Sequence, residues 1–164
     1  MKTLGEIIVG VLVCLLLALL VLRVTGLNPN ERRAGLWLTG DLVTTPVTDW
    51  SFTDQYQTIK IQTRTWYLLP HSVTTFCTAY NGQLYVTSVY RPGVEYPHGR
   101  NWNANVARNP HVCLKIGNQL HDRTLSYVTD PAEKAGVLQV KAKKYPQQKV
   151  SPDSPVNVFR VLDN

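Results

Sequence analysis

Cysteine is scarce in this chain. Cys14, Cys77 and Cys113 are the only three in 164 residues, and no two of them form a CxxC pair. That excludes zinc-ribbon and thioredoxin-type chemistry. The four histidines (His71, His98, His111, His121) show neither HExxH spacing nor a Cys/His cluster, so no metal is expected. Long basic runs are missing as well. The net charge is +6, yet Lys141, Lys143 and Lys144 are the one tight group of cations. A nucleic-acid binder clusters its cations, whereas these fall in the last turn of a predicted helix, where they complement the dipole. No nucleic-acid partner is expected. An anionic small ligand or an anionic lipid surface accounts for the charge. No internal repeat is visible, and no acid, base or nucleophile stands in a catalytic spacing.

What the N-terminus does have is a long apolar run. Residues 7–22 carry no charge and are bounded by Glu6 and Arg23. With their apolar flanks they reach the roughly 20 residues that a membrane span needs. A cleaved signal peptide is the rival reading, but the run ends without an A-x-A-like site, which favours an uncleaved single-pass anchor. Arg23, Arg32 and Arg33 follow the run while Lys2 precedes it, so the positive-inside rule places the remainder on the cytoplasmic side of a cell membrane. The chain then divides into an anchor (1–27), a linker (28–35) and one domain (36–164).

Within the domain the pattern is mainly β. Residues 35–43 read as a first strand. Residues 58–65 alternate Ile59 and Ile61 with Lys60, Gln62 and Arg64, a period of two that buries one face. Runs 72–80 and 83–90 flank Asn81-Gly82, the strongest short hairpin signal. A short helix near 100–108 ends at Asn109-Pro110, because the residue before proline avoids helical angles. Strands at 111–116 and 119–129 turn at Gly117-Asn118. Asp130-Pro131-Ala132-Glu133 then starts a helix: Asp as N-cap, Pro at N1, and Glu placed to close a capping box. That helix runs to about Lys144, and a last strand covers 156–162. Cys77 and Cys113 lie in strands as buried thiols; a disulfide between them stays open for an extracytoplasmic domain. A small antiparallel barrel with short helices packed outside fits this order.

The stretch 83–118 carries the functional signal. A strand exits into a Pro/Gly loop and a short helix that hold Arg91, Arg100 and Arg108 among Tyr90, Tyr96 and Trp102. Cations beside flat rings at a strand-to-helix junction suit a ligand with a phosphate and an aromatic ring system. A basic connecting loop with no ligand is the competing reading.

The arrangement resembles the split β-barrel superfamily of pyridoxamine phosphate oxidase-like flavoproteins, nearest to its deazaflavin-dependent nitroreductase branch. The hairpin 72–90, the W-x-x-N…NP-x-V-like junction from Trp102 through Asn105 and Asn109-Pro110 to Val112, and the final strand after Tyr145-Pro146 carry the resemblance. It implies a split barrel that holds FMN or a deazaflavin coenzyme in a groove, beside the interface of a homodimer. By position it implies cofactor contacts from Thr63, Arg64 and Thr65 on one strand, from Ser88, Tyr90 and Arg91 after the hairpin, and from Arg100 and Trp102 at the helix start. The cofactor would carry the hydride chemistry.

One departure bears on this. The turn 65–70 is bulky and apolar where the family has a Gly- and Lys/Arg-rich turn. Two functions are therefore expected in competition: a membrane-anchored flavin- or deazaflavin-dependent oxidoreductase, and a non-catalytic interaction module or accessory subunit of a membrane complex. A groove plugged by Trp66, Tyr67 or Leu69 would favour the second.

Overall fold

A computed structural model describes residues 2–90, 93–151 and 154–163. The chain begins with helix α1 (Lys2–Thr25). At 1.5 Å per residue its 24 residues extend about 36 Å, against a bilayer hydrocarbon core of about 30 Å. Its side chains from Leu4 to Val24 are largely exposed, with no face packed on the rest of the protein. The helix is thus long and apolar enough to cross a membrane.

Gly26 stops it. Its φ of 75° is the left-handed conformation in which helices commonly end, and its N–H still reaches Leu22 O at 2.9 Å. The segment 28–35 is not a free tether. Leu27 N donates to Trp37 O at 2.9 Å and Leu36 N to Leu27 O at 2.8 Å. Gly35 exchanges backbone bonds with Ser72 at 2.8 and 3.0 Å. A Cβ on Gly35 would lie 2.1 Å from Leu27 O, so only glycine permits this approach. Residues expected to be a linker are therefore stitched to the barrel.

The expected strand at 35–43 shortens to β1 (Asp41–Leu42), which lies parallel to β6 (Gln119–Tyr127). Residues before it form a strap over the outside of the barrel. Leu38 N donates to Gln62 Oε1 at 2.7 Å, and Lys115 Nζ bonds Thr39 O. These side chains from the barrel satisfy the strap's backbone in place of a ladder.

Six strands close the barrel: β2 (Ile59–Arg64), β3 (Pro70–Tyr80), β4 (Gln83–Val89), β5 (His111–Ile116), β6 and β7 (Val156–Leu162). Their order is β6-β5-β2-β3-β4-β7, antiparallel throughout, and β6–β7 pairing closes the ring. Asn81 and Gly82, at φ 52° and 74°, make the two-residue turn between β3 and β4 with the positive angles of a type I′ hairpin. The period of two holds where it is strongest. Ile59, Ile61, Leu84, Val86, Leu114, Ile116, Phe159 and Val161 fill one core inside the barrel.

A second core lies outside it. Helix α3 (Pro131–Lys144) lays Val137 and Leu138 against Tyr85, Val128, Val156 and Val158. Asp130 caps it as expected, accepting from Ala132 N and Glu133 N. Glu133 has other partners besides the cap: it accepts from Tyr85 Oη at 2.7 Å and from Arg160 through two nitrogens. Arg160 holds that carboxyl below its usual range. Lys141, expected only to face the helix dipole, is fully buried, with Nζ 2.9 Å from Thr87 Oγ1 and over the rings of Phe76 and Tyr145. Cys77 and Cys113 are free thiols, the first buried and the second half-buried.

Candidate functional site

The barrel mouth is covered by helix α2 (Asn101–Arg108), which begins at the exit of β4 and ends at the exit of β2. At its start Arg100 Nε donates to Val89 O at 3.3 Å; at its end Arg108 Nη2 donates to Arg64 O at 3.4 Å. Trp102, Asn103, Asn105 and Val106 turn down into the barrel. Asn105 Nδ2 donates to Thr63 Oγ1 at 3.0 Å, and Arg108 Nη2 donates to Asn105 Oδ1 at 2.9 Å. Trp102 meets Phe159 at a ring separation of 5.2 Å. The helix is a lid whose underside belongs to the core.

This placement sorts the expected contacts. Thr63 is fully buried; its hydroxyl donates to His71 O at 3.1 Å and accepts from Asn105, so its side chain is already engaged. Thr65 Oγ1 closes its own turn on Leu69 O. Ser88 points into the barrel in register with Asn157, and its hydroxyl has no protein partner. Trp102 is a packing anchor with 5% of its surface exposed, which leaves no face for a ligand ring. Arg64 borders a small hollow of about 160 Å³ with Gln62, His111 and Asp122.

Tyr90 and Arg100 do come together. With Val89, Val94 and Gly99 they line a separate hollow of about 380 Å³ beside the lid. Arg100 is exposed and spends one N–H on Val89 O, so most of its guanidinium fork faces outward. Arg91 lies outside the described residues. The hollow thus offers a cation, an aromatic edge and an apolar floor. These fit a flat anionic guest by the chemistry of the donor set.

Sequence reasoning missed the wall behind it. Tyr96 stacks on Tyr127 with ring centroids 4.3 Å apart and 5° between planes, and both lean on Phe159. Burial raises the phenol pKa of each tyrosine. The one signal was the Pro/Gly-rich loop itself, which gives no partner. Asn105 was within reach, since it stands in the W-x-x-N pattern. The bulky turn plugs nothing: Trp66, Tyr67 and Leu68 are exposed at its tip. Among the described residues no three His, Cys, Asp or Glu side chains gather as a metal site.

No family model and no curated protein matches the sequence. Solved structures do match. A candidate 5-nitroimidazole antibiotic resistance protein from Bacteroides thetaiotaomicron aligns at 16% identity over 80% of this chain and 88% of its own, with a TM-score of 0.53. HutZ, the haem storage protein from Vibrio cholerae, aligns at 15% identity over 69% and 86%, with a TM-score of 0.52. A candidate pyridoxamine 5'-phosphate oxidase from Listeria innocua aligns at 19% identity over 68% and 87%, with a TM-score of 0.48. Identities this low speak to fold alone. The fold is the split β-barrel of the pyridoxamine phosphate oxidase-like superfamily.

Proposed function

We propose that this split-barrel chain is a membrane-anchored oxidoreductase that binds FMN or a deazaflavin coenzyme in the hollow where Tyr90 meets Arg100. One observation carries the reading: a cation with free donors and an aromatic side chain share an open hollow at the exit of β4, while the bulky turn that could have filled a groove stands out in solvent. Arg100 would hold the phosphate or another anionic group of the cofactor, with Arg91 joining it by sequence, one residue past Tyr90. Tyr90 would border the ring, and Val94 would exclude water from its edge. A bound flavin or deazaflavin supplies hydride transfer. Helix α1 would fix the protein in a cell membrane with the barrel on the cytoplasmic side, and two copies would pair as the family resemblance implies.

The separation of Arg64 from Arg100 favours a second reading. The expected single basic cleft is divided between the two ends of α2, as in a barrel that serves as an accessory subunit. The visible spectrum of the full-length protein, purified in detergent and titrated with FMN, a deazaflavin coenzyme and haemin, decides between them. Haemin is included because HutZ stores haem, another flat anionic guest. Saturable binding of a flavin or deazaflavin supports the redox reading; a protein that binds neither is the accessory subunit.

A further inference from the structure

The turn between β2 and β3 presents apolar side chains to solvent with nothing folded over them. Trp66 is 78% exposed, Tyr67 50% and Leu68 95%. Trp66 and Tyr67 pack edge to face at 5.4 Å, so the tip has structure of its own. Thr65 closes its base through Leu69 O. Leu68 sits there at a φ of 68°, a conformation that costs a branched L-residue free energy. A protein gains nothing in water by projecting leucine in a strained backbone beside tryptophan and tyrosine.

The tip's position supplies the reason. It begins where β2 and β3 part, at the Arg64–Pro70 pair, and Ser72 follows two residues later. Ser72 is the residue to which Gly35 is bonded, and Gly35 packs against Leu27 O, one residue past the end of the apolar helix. The apolar helix and the apolar tip therefore emerge at the same end of the barrel. No slack separates them, because Leu27 and Leu36 are hydrogen-bonded to each other's neighbourhood. Exposed cations surround this end: Arg23 in the last turn of α1, Arg32 and Arg33 in the stitched segment, and Arg64 with Arg108 beside the tip.

We propose that residues 66–68 form a second membrane contact, which dips into the headgroup boundary of the bilayer that α1 crosses. Trp and Tyr prefer that boundary, where one end of the ring is apolar and the other wet, and Leu68 reaches past them toward the acyl chains. The flanking arginines meet anionic headgroups. With one residue of chain between helix and barrel, the tip and α1 set the barrel's tilt on the membrane. This inference rests on α1 being a retained membrane span.

The test uses the full chain in a Cys14→Ser background, reconstituted in vesicles of phosphatidylcholine and phosphatidylglycerol. Single cysteines at Leu68→Cys, Val13→Cys and Thr48→Cys carry an environment-sensitive fluorophore. Thr48 is exposed near the Asn81-Gly82 end of the barrel, since Trp50 N bonds Gly82 O. Lipids spin-labelled near the carbonyls should quench the label at 68, lipids labelled at mid-chain the label at 13, and neither the label at 48. Quenching at 13 without quenching at 68 overturns the tip contact while the anchor stands. No quenching at 13 removes the anchor, and this inference with it. A blue shift at 68 that grows with protein concentration and ignores the spin labels assigns the tip to a second copy instead, and quenching at 48 shows the barrel lying on the bilayer without a defined tip.

Discussion

Asn105 donates its side-chain amide to the hydroxyl of Thr63 at 3.0 Å, and so ties the lid helix to an inward-facing position of β2. The bond is buried, and Thr63 passes it on to His71 O at 3.1 Å. Arg108 completes the chain from above by donating to Asn105 Oδ1. The lid's placement beside the Tyr90–Arg100 hollow depends on this link.

Removing it should loosen the lid. Asn105→Ala leaves a buried hydroxyl with one partner fewer and should cost about 1–3 kcal/mol in denaturant unfolding. Thr63→Val should cost a similar amount, and the double variant less than the sum, because neighbours that share a bond do not add. Strict additivity would show that the two side chains do not interact.

Lys141 should make stability rise with pH. Burial pulls its ammonium down to a pKa of about 8, and the nearby Lys144 adds to this while Cys77 opposes it. The folded state then binds fewer protons than the unfolded chain between about pH 8 and 10.4, so stability grows across that window. Cys77 and Tyr145, held protonated by the same burial, act in the opposite sense at higher pH. The comparison with Lys141→Met isolates the lysine. The wild type should gain about 3 kcal/mol on that variant from pH 8 to 10.4. A constant difference would mean that the ammonium is not desolvated.

The Glu133–Arg160 pair should show the reverse dependence. Its carboxyl pKa is lowered by the bond from Arg160, so the stabilisation is present above the unfolded value near 4.3 and disappears as pH falls through the lower folded one. Arg160 is partly exposed, with 43% of its side chain in solvent, so solvent screening reduces the bond. Glu133→Gln should cost about 1–2 kcal/mol at pH 7, and little at pH 3. Equal loss at both values would assign the effect to packing.

Leu68→Gly should leave the fold intact or strengthen it by up to about 1 kcal/mol, because glycine accepts the left-handed angle that leucine resists. A fall in thermal midpoint would show that the exposed tip is packed after all.

Much of the fold could be read from residues whose local chemistry admits one structure. Asn81-Gly82 between two β-rich runs leaves a hairpin, Asp130-Pro131 starts a helix, and the alternation through Ile59 and Ile61 fixes which face is buried. The site was less legible, because period and composition do not say where a side chain ends up once a sheet closes. Arg64 and Arg100 both flank β-strands in the sequence, yet a helix of eight residues stands between them in space. Trp102 looked like a ring wall and became core, because the lid's apolar face is the cheapest cover for an open barrel end. Glu133 fitted a capping box by spacing, but an arginine from a strand 27 residues away offers a charge-assisted bond instead. Gly35 gave no sign that it would meet Leu27 and Ser72, since close backbone approach leaves no mark beyond the glycine itself.

The central claim is that the guest is held beside Tyr90 and Arg100, not beside Arg64. Fluorescence titration of FMN or a deazaflavin coenzyme into the full-length protein, the Arg100→Ala variant and the Arg64→Ala variant tests it most directly. Loss of a charge-assisted bond of about 1.5–3 kcal/mol corresponds to roughly a 10- to 150-fold rise in Kd. The account predicts that rise for Arg100→Ala and an unchanged Kd for Arg64→Ala. The opposite pattern, or binding that neither substitution weakens, would contradict it.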